Sequence, residues 1–224
     1  MTPSEVITQV RSIVQDTRSP YRYSDTVLLG FVNQALKRMA LLRPDLFSII
    51  TDIPLKPNSV VQSMPDDSIR LVEIFQVKDG NAVTEVSRDM FDQSYPGWAN
   101  EAAGTPVNFM RHVRNPNKFF VYPRPSTCAT LVGEYVQSPP SYNLEEEIRL
   151  LPDSYLPVLV DGTVYLAESI DNEHVNTGRA KLYQDMFINA LGVGLQSRAV
   201  TDTEESGLVP DQVIGASSRR PRER

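Results

Sequence analysis

Cysteine and histidine, on which most nucleophilic and metal chemistry depends, are nearly missing: one cysteine, Cys128, and two histidines, His112 and His174. A lone cysteine excludes an internal disulfide framework and fits a reducing compartment, or no need for disulfides. It has no CxxC partner and no histidine nearby, so a catalytic thiol is weakly supported. His112 sits between Arg111 and Val113 on a predicted strand, which points to a surface or sheet-face role. His174 lies in the polar break DNEHVN. Asp171 and Glu173 flank it without the spacing of a metal site. There is no glycine-rich phosphate loop, because Gly192-Val193-Gly194 falls at the end of a predicted helix, where such a loop would open one. It reads as a helix terminator. The adjacent carboxylates Glu145, Glu146 and Glu147 point in different directions and read as a solvated loop. No catalytic group, metal site or cofactor is expected, and no enzyme. The sequence also lacks an apolar run of about eighteen residues, so no membrane span is expected. The start, MTPSEVITQV, lacks the basic and apolar regions of a signal peptide. Positive charge is in deficit, with a net charge of −6, which argues against a protein that grips nucleic acid by its phosphates.

What is present is a core-forming chain: 41% of its 224 residues are hydrophobic, enough for one ordinary domain or two small ones. Tyr21 to Pro44 reads as one long helix. Ser24 is its N-cap and Asp25 puts negative charge at the positive end of the dipole. Lys37, Arg38 and Arg43 sit near the other end, and Pro44 stops the helix. Leu28, Val32, Ala35, Leu36, Met39 and Leu42 recur at three- and four-residue steps. Val27, Phe31 and Leu41 widen that stripe, so the helix needs partners on more than one side. Before it, Thr2 to Asp16 forms a shorter helix, with Thr2 and Glu5 at capping-box spacing and Pro3 at the first helical position.

The middle of the chain is proline-rich, favouring rigid loops and short strands. Strands are expected at Phe47–Leu55, Ser59–Met64, Ile69–Val77, Ala82–Val86, Val107–Val113, Lys118–Tyr122 and Ala129–Gln137, in a meander. In the third, Leu71, Glu73, Phe75 and Val77 alternate with Val72, Ile74 and Gln76, so both faces are partly apolar. Asp79-Gly80 is a hairpin turn candidate. The stretch from Ser87 to Pro106 is irregular and carries the only tryptophan, Trp98. Two helices follow. One opens at Pro152 with Leu156, Leu159, Val160, Val164 and Ala167 on one face. The other carries Ala180, Tyr183, Phe187, Ala190 and Leu191. From Thr201 the chain is polar and ends SSRRPRER, too poor in apolar residues to fold alone. The expected fold is α+β: N- and C-terminal helix pairs (1–46 and 152–198) in a four-helix bundle, an inserted antiparallel β domain (47–151), and an extended flexible tail (199–224).

Several motifs occur together: the aromatic-Arg-aromatic-Ser-Asp cap at Tyr21 to Asp25, the VNQAL–LRPDLF helix exit, FFVYP at Phe119 to Pro123, LPD at Leu151 to Asp153 and ALG at Ala190 to Gly192. In order and spacing, over about residues 2 to 195, the chain resembles the head-to-tail adaptor proteins of short-tailed phages, also called tail tubular protein A. The resemblance implies a virion protein at the head-tail junction, made in the bacterial host cytoplasm. It implies a ring, usually of twelve subunits, fixed beneath the portal protein, carrying the tail nozzle protein and extending the DNA channel for genome retention and ejection. Genomic DNA would pass through the lumen without specific binding, and no membrane is involved. The helices would form the ring body, the β domain would project, and C-terminal segments would grip the portal. The acidic net charge and the over-wide apolar surface of the long helix agree with this. In the tail, Leu208, Val209, Val213 and Ile214 are candidate portal anchors, with Arg219, Arg220, Arg222 and Arg224 beside them. Val27, Phe31 and Leu41 become candidates for contact with the next subunit or the portal. The alternative is a nucleic-acid-binding or regulatory module using the arginine tail.

Overall fold

The structure, a computed structural model, describes residues 1–170 and 177–205. Among them are five α-helices: α1 Pro3–Val14, α2 Asp25–Leu42, α3 Arg88–Ser94, α4 Leu156–Glu168 and α5 Thr177–Glu205. The seven strands are β1 Ser48–Pro54, β2 Val61–Ser63, β3 Ser68–Val77, β4 Thr84–Glu85, β5 Asn108–Arg111, β6 Lys118–Tyr122 and β7 Thr130–Gln137. The candidate tail residues Leu208, Val209, Val213, Ile214, Arg219, Arg220, Arg222 and Arg224 lie outside the described residues, as does His174.

Local signals set the first two helices. The Thr2 hydroxyl accepts from the Glu5 N–H at 3.3 Å, and the Thr2 N–H donates to the Glu5 carboxylate at 2.9 Å, closing a capping box at the start of α1. Ser24 Oγ accepts from the Val27 N–H at 3.3 Å at the start of α2. Leaving α2, the chain meets Pro44, which opens a short 3-10 turn over Pro44–Phe47. Between the helices, the buried Arg11 guanidinium donates to Asp16 (2.7 Å), the Tyr23 carbonyl (2.8 Å) and Asp25 (2.6 Å). Asp16 in turn accepts the backbone N–H groups of Arg22 and Tyr23. A buried arginine is tolerable only when its donors are satisfied in this way, and here they define the turn. The Tyr23 hydroxyl then donates to the Ala167 carbonyl at 2.8 Å, pinning the turn to α4.

The four-helix bundle expected from the sequence is not what forms. Helix α4 takes the central place and packs against α1, α2 and α5, whereas the α2–α5 contact is thin. Its buried residues are Leu159, Val160, Gly162, Thr163, Val164, Leu166, Ala167 and Glu168, which cover far more than one stripe. A helix apolar nearly all round belongs in an interior, not at one corner of a bundle. The core around it is completed by Phe47, by Val136 of β7, and by Tyr142, Ile148 and Leu151 of the segment leading into α4. Ile69 and Val72 of β3 pack against it too. The helices thus share one core with a sheet. The expectation fails because hydrophobic periodicity reports how much surface needs cover, not which element covers it. The terminator reading of Gly192-Val193-Gly194 is corrected as well, since α5 runs through it. A glycine costs a helix about 1 kcal/mol but leaves its N–H in place to donate.

The strands form two sheets, β1-β7-β3 and β2-β6-β5-β4. The expected meander is replaced by a non-sequential order. The last strand, β7, pairs antiparallel with both β1 and β3 at the centre of its sheet. After the Asp79-Gly80 turn the chain pairs briefly back on β3 through the Val83 N–H to the Phe75 carbonyl. It then crosses to the second sheet, where β4 runs parallel to β5. Apolar side chains of both sheets meet in one core that includes Ile53, Leu71, Ile74, Phe109, Phe119 and Leu131. The alternation expected in β3 is also altered: Ser68, Leu71, Ile74 and Val77 are buried at every third position. Three register shifts against β7 explain this, because each bulge turns the following residue to the other face. The stretch from Ser87 to Pro106 is the cover of the second sheet. Trp98, Met110 and Phe120 form a small core there, and Trp98 Nε1 donates to Asp92 at 2.7 Å.

Two predictions follow from this packing. A Cβ at Gly133, in the middle of β7, would lie 2.8 Å from the Glu73 carbonyl oxygen and 3.1 Å from Ile53 Cδ1. Backbone cannot yield as a side-chain tip can, so Gly133→Ala should cost about 1–3 kcal/mol in chemical denaturation. Asp161 of α4 has its pKa raised by burial. Its folded form therefore holds the proton more readily than the unfolded chain, and the protein loses stability as pH rises through that raised value. Asp161→Asn should raise the melting temperature at neutral pH. The gain should vanish in acid, below the ordinary carboxylate range.

Candidate interaction surfaces

Of the groups that most often carry chemistry, His112 has a structural role. His112 Nδ1 accepts from the backbone N–H groups of Arg114 (3.2 Å) and Asn115 (3.0 Å). Its ring stacks on Phe120, with centroids 5.5 Å apart. Cys128 is a free, exposed thiol. Glu146 accepts from the Asn143 N–H, and Glu147 pairs with Arg149 on the surface. Among the described residues, no cluster of three or more His, Cys, Asp or Glu side chains could hold a metal ion. No helix among them is long and apolar enough to cross a membrane.

The conspicuous feature is apolar. On α2, Leu28, Val32, Ala35, Leu36 and Met39 are buried in the subunit's own core. Of the three residues that widen the stripe, Val27 is 40% exposed and Leu41 71% exposed. Phe31 is half-buried and packs against the helical core. Val27 and Leu41 are fourteen positions apart, about 21 Å along the helix.

The structure brings Leu41 into company that its sequence neighbourhood does not show. With Arg38, Leu42, Tyr165, Gln184, Phe187 and Ile188 it lines an open groove of about 240 Å³ between α2, α4 and α5. Val27 and Phe31 do not line it. The Arg38 guanidinium lies 5.3 Å from the Tyr165 ring centroid, a cation–π contact at the groove wall. On the α5 side, Ile188 is exposed beside Leu41 and Leu42, whereas the exposed Leu182 and Met186 fall on the opposite flank of α5 at about 100° per residue. Clustering of Leu41, Leu42 and Ile188 round one groove distinguishes it from the single exposed hydrophobes of any protein surface. Sequence reasoning missed Tyr165 and Ile188 as walls of the groove, because no local pattern joins them to Leu41. Arg43 closes one end of this region: it is buried, pairs with Asp45 at 2.6 Å and donates to the Leu191 carbonyl at 3.2 Å. That joins the end of α2 to α5 and holds both walls of the groove.

Comparison with known proteins gives one clear result. The family model described as SU10 adaptor protein matches residues 1–210. Among curated proteins, none matches.

The burial pattern separates surface from core by experiment. Leu41→Glu should leave monomer stability within about 0.5 kcal/mol of the parent, because the side chain is mostly in solvent already. Leu36→Ala, which empties a fully buried site, should cost about 2–5 kcal/mol. Urea denaturation of the two variants measures both. Phe31→Glu should lie between them.

Proposed function

The chain belongs to the SU10 adaptor protein family, whose model covers nearly all of it, and we propose on that premise that it forms the head-to-tail adaptor ring of its phage. Family membership makes it a structural adaptor of the virion that meets other virion components. The finer reading is a ring, of twelve copies, that joins the portal to the tail nozzle and extends the DNA channel for genome retention and ejection. The protein performs no catalysis in this reading.

The observation that carries it is the exposed apolar side of α2, the groove and α5. A ring needs a heterologous contact, in which one surface of each copy meets a different surface of the next. An apolar face on rigid helices supplies such a surface, while the sheets remain free to meet another component. The face is modest and bears Arg38 at its wall, which favours weak contact between free copies. Assembly would then depend on a portal ring, which gathers the subunits and raises their effective concentration. The net charge of −6 per copy gives a ring of such subunits a negative field. That field suits a channel through which DNA slides without being held. The segment beyond Glu205, with Leu208, Val209, Val213 and Ile214, serves as the portal-docking tail in this reading.

The purified protein should run as a monomer or loose oligomer in size-exclusion chromatography. Mixed with portal rings of the same phage, it should co-migrate with them. Leu41→Glu should abolish ring completion on the portal while the variant stays folded. Absence of co-migration by the parent protein would overturn the adaptor reading.

A further inference from the structure

A second surface, on the sheets, carries a ligand preference that the adaptor reading does not supply. A cavity of about 250 Å³ is lined by Arg70, Leu71, Arg111, His112, Val113, Pro116 and Lys118. Four of those side chains are basic and none is acidic, on a chain whose net charge is −6. Several cations elsewhere are paired within the molecule, Arg11 with Asp16 and Asp25, Arg43 with Asp45, Lys78 with Asp52 and Arg149 with Glu147, whereas this cavity gathers cations in one place. Arg70 and Lys118 make no ion pair among the described residues, and both are exposed. Two cations are thus left without counter-charge at the mouth of one cavity.

The floor of the cavity is held in place. Arg111 donates to the Leu71 carbonyl at 2.7 Å and to the Val72 carbonyl, and pairs with Glu85 at 2.7 Å. These bonds tie β5 to β3 across the two sheets. His112 is fixed by its stacking on Phe120 and by the two N–H groups that donate to Nδ1. The neutral ring therefore carries its proton on Nε2, the donor side. At the rim, Val113 is 92% exposed, an apolar contact beside the charges. Preorganised donors flanked by two free cations form a seat for an anionic group.

The extent of the seat decides what kind of anion it takes. The neighbouring cavity shares Arg111 and Val113 and adds Arg88, which pairs with Asp92, but Glu85 and Asp89 line it as well. The positive field is therefore offset by carboxylates within one cavity's width. Duplex DNA brings one charge per 1.7 Å or so of axis, and it would run onto those carboxylates. A short acidic segment of a protein would not. We propose that this cavity docks an acidic segment of a partner protein, with Arg70 and Lys118 pairing its carboxylates and Val113 contacting an apolar neighbour.

The test is fluorescence anisotropy with labelled hexaglutamate and the full chain at low ionic strength. Saturable binding that weakens with added salt is expected. The double variant R70E/K118E should bind about tenfold or more weakly, and R70Q/K118Q should fall between it and the parent. Lys56→Glu, which removes an exposed cation outside the cavity, should bind as the parent does. Circular dichroism checks that each variant is folded. Undiminished binding by R70E/K118E overturns the proposal. So does a short DNA duplex that binds more tightly than the peptide and loses affinity in the same variant.

Discussion

Three helices meet at Gly162 more closely than any side chain there would allow. A Cβ on that residue would lie 2.7 Å from the Phe187 ring and 3.3 Å from the Ala35 methyl group. Because α4 can approach α2 and α5 at that distance, it can occupy the centre of the helical part and still be covered on every side. Phe187, only 2% exposed, fills the notch, and its position brings the adjacent Ile188 to the surface beside Leu41 and Leu42. The groove is therefore a by-product of the same close contact that makes the core. Alter the approach at Gly162 and the groove walls move with it.

The same economy applies to charge. Buried arginines serve as fasteners: Arg11 sets the turn between α1 and α2, and Arg43 binds the end of α2 to the carbonyl of Leu191. Each has its donors satisfied by carboxylates and carbonyls, the condition under which burying a guanidinium does not cost stability outright. Among the described residues, the surface includes the apolar groove on the helices and the basic cavity on the sheets, on a chain of net charge −6. A structural adaptor of the virion meets other virion components, and both surfaces lie on one body. Rigidity across the junction comes from the shared core, in which β7 contributes Val136 to the helices and Leu131 to the sheets.

Much of the local structure is legible in the sequence. The capping box at Thr2 and Glu5, the Ser24 cap, the stop at Pro44 and the strand β6 are all signalled by residues within a few positions of the feature. The buried stripe of α2 was readable too, because a 3.6-residue period leaves its mark on any amphipathic helix. So was the excess of Val27, Phe31 and Leu41 over that stripe. The partners of the groove were not, because Tyr165 and Ile188 lie more than a hundred positions away. Nor was the basic cavity, whose Arg70 and Lys118 come from different sheets.

What the sequence determined by itself is therefore the set of elements and the surface each must hide. The tertiary structure alone decided which element does the hiding. It placed α4 at the centre, β7 between β1 and β3, and the segment carrying Trp98 over the second sheet. The physical reason is range. Caps, turns and periodicity are set by neighbours along the chain. Packing depends on shape, and a glycine at position 162 or a bulge in β3 matters only once the distant surface it admits has arrived.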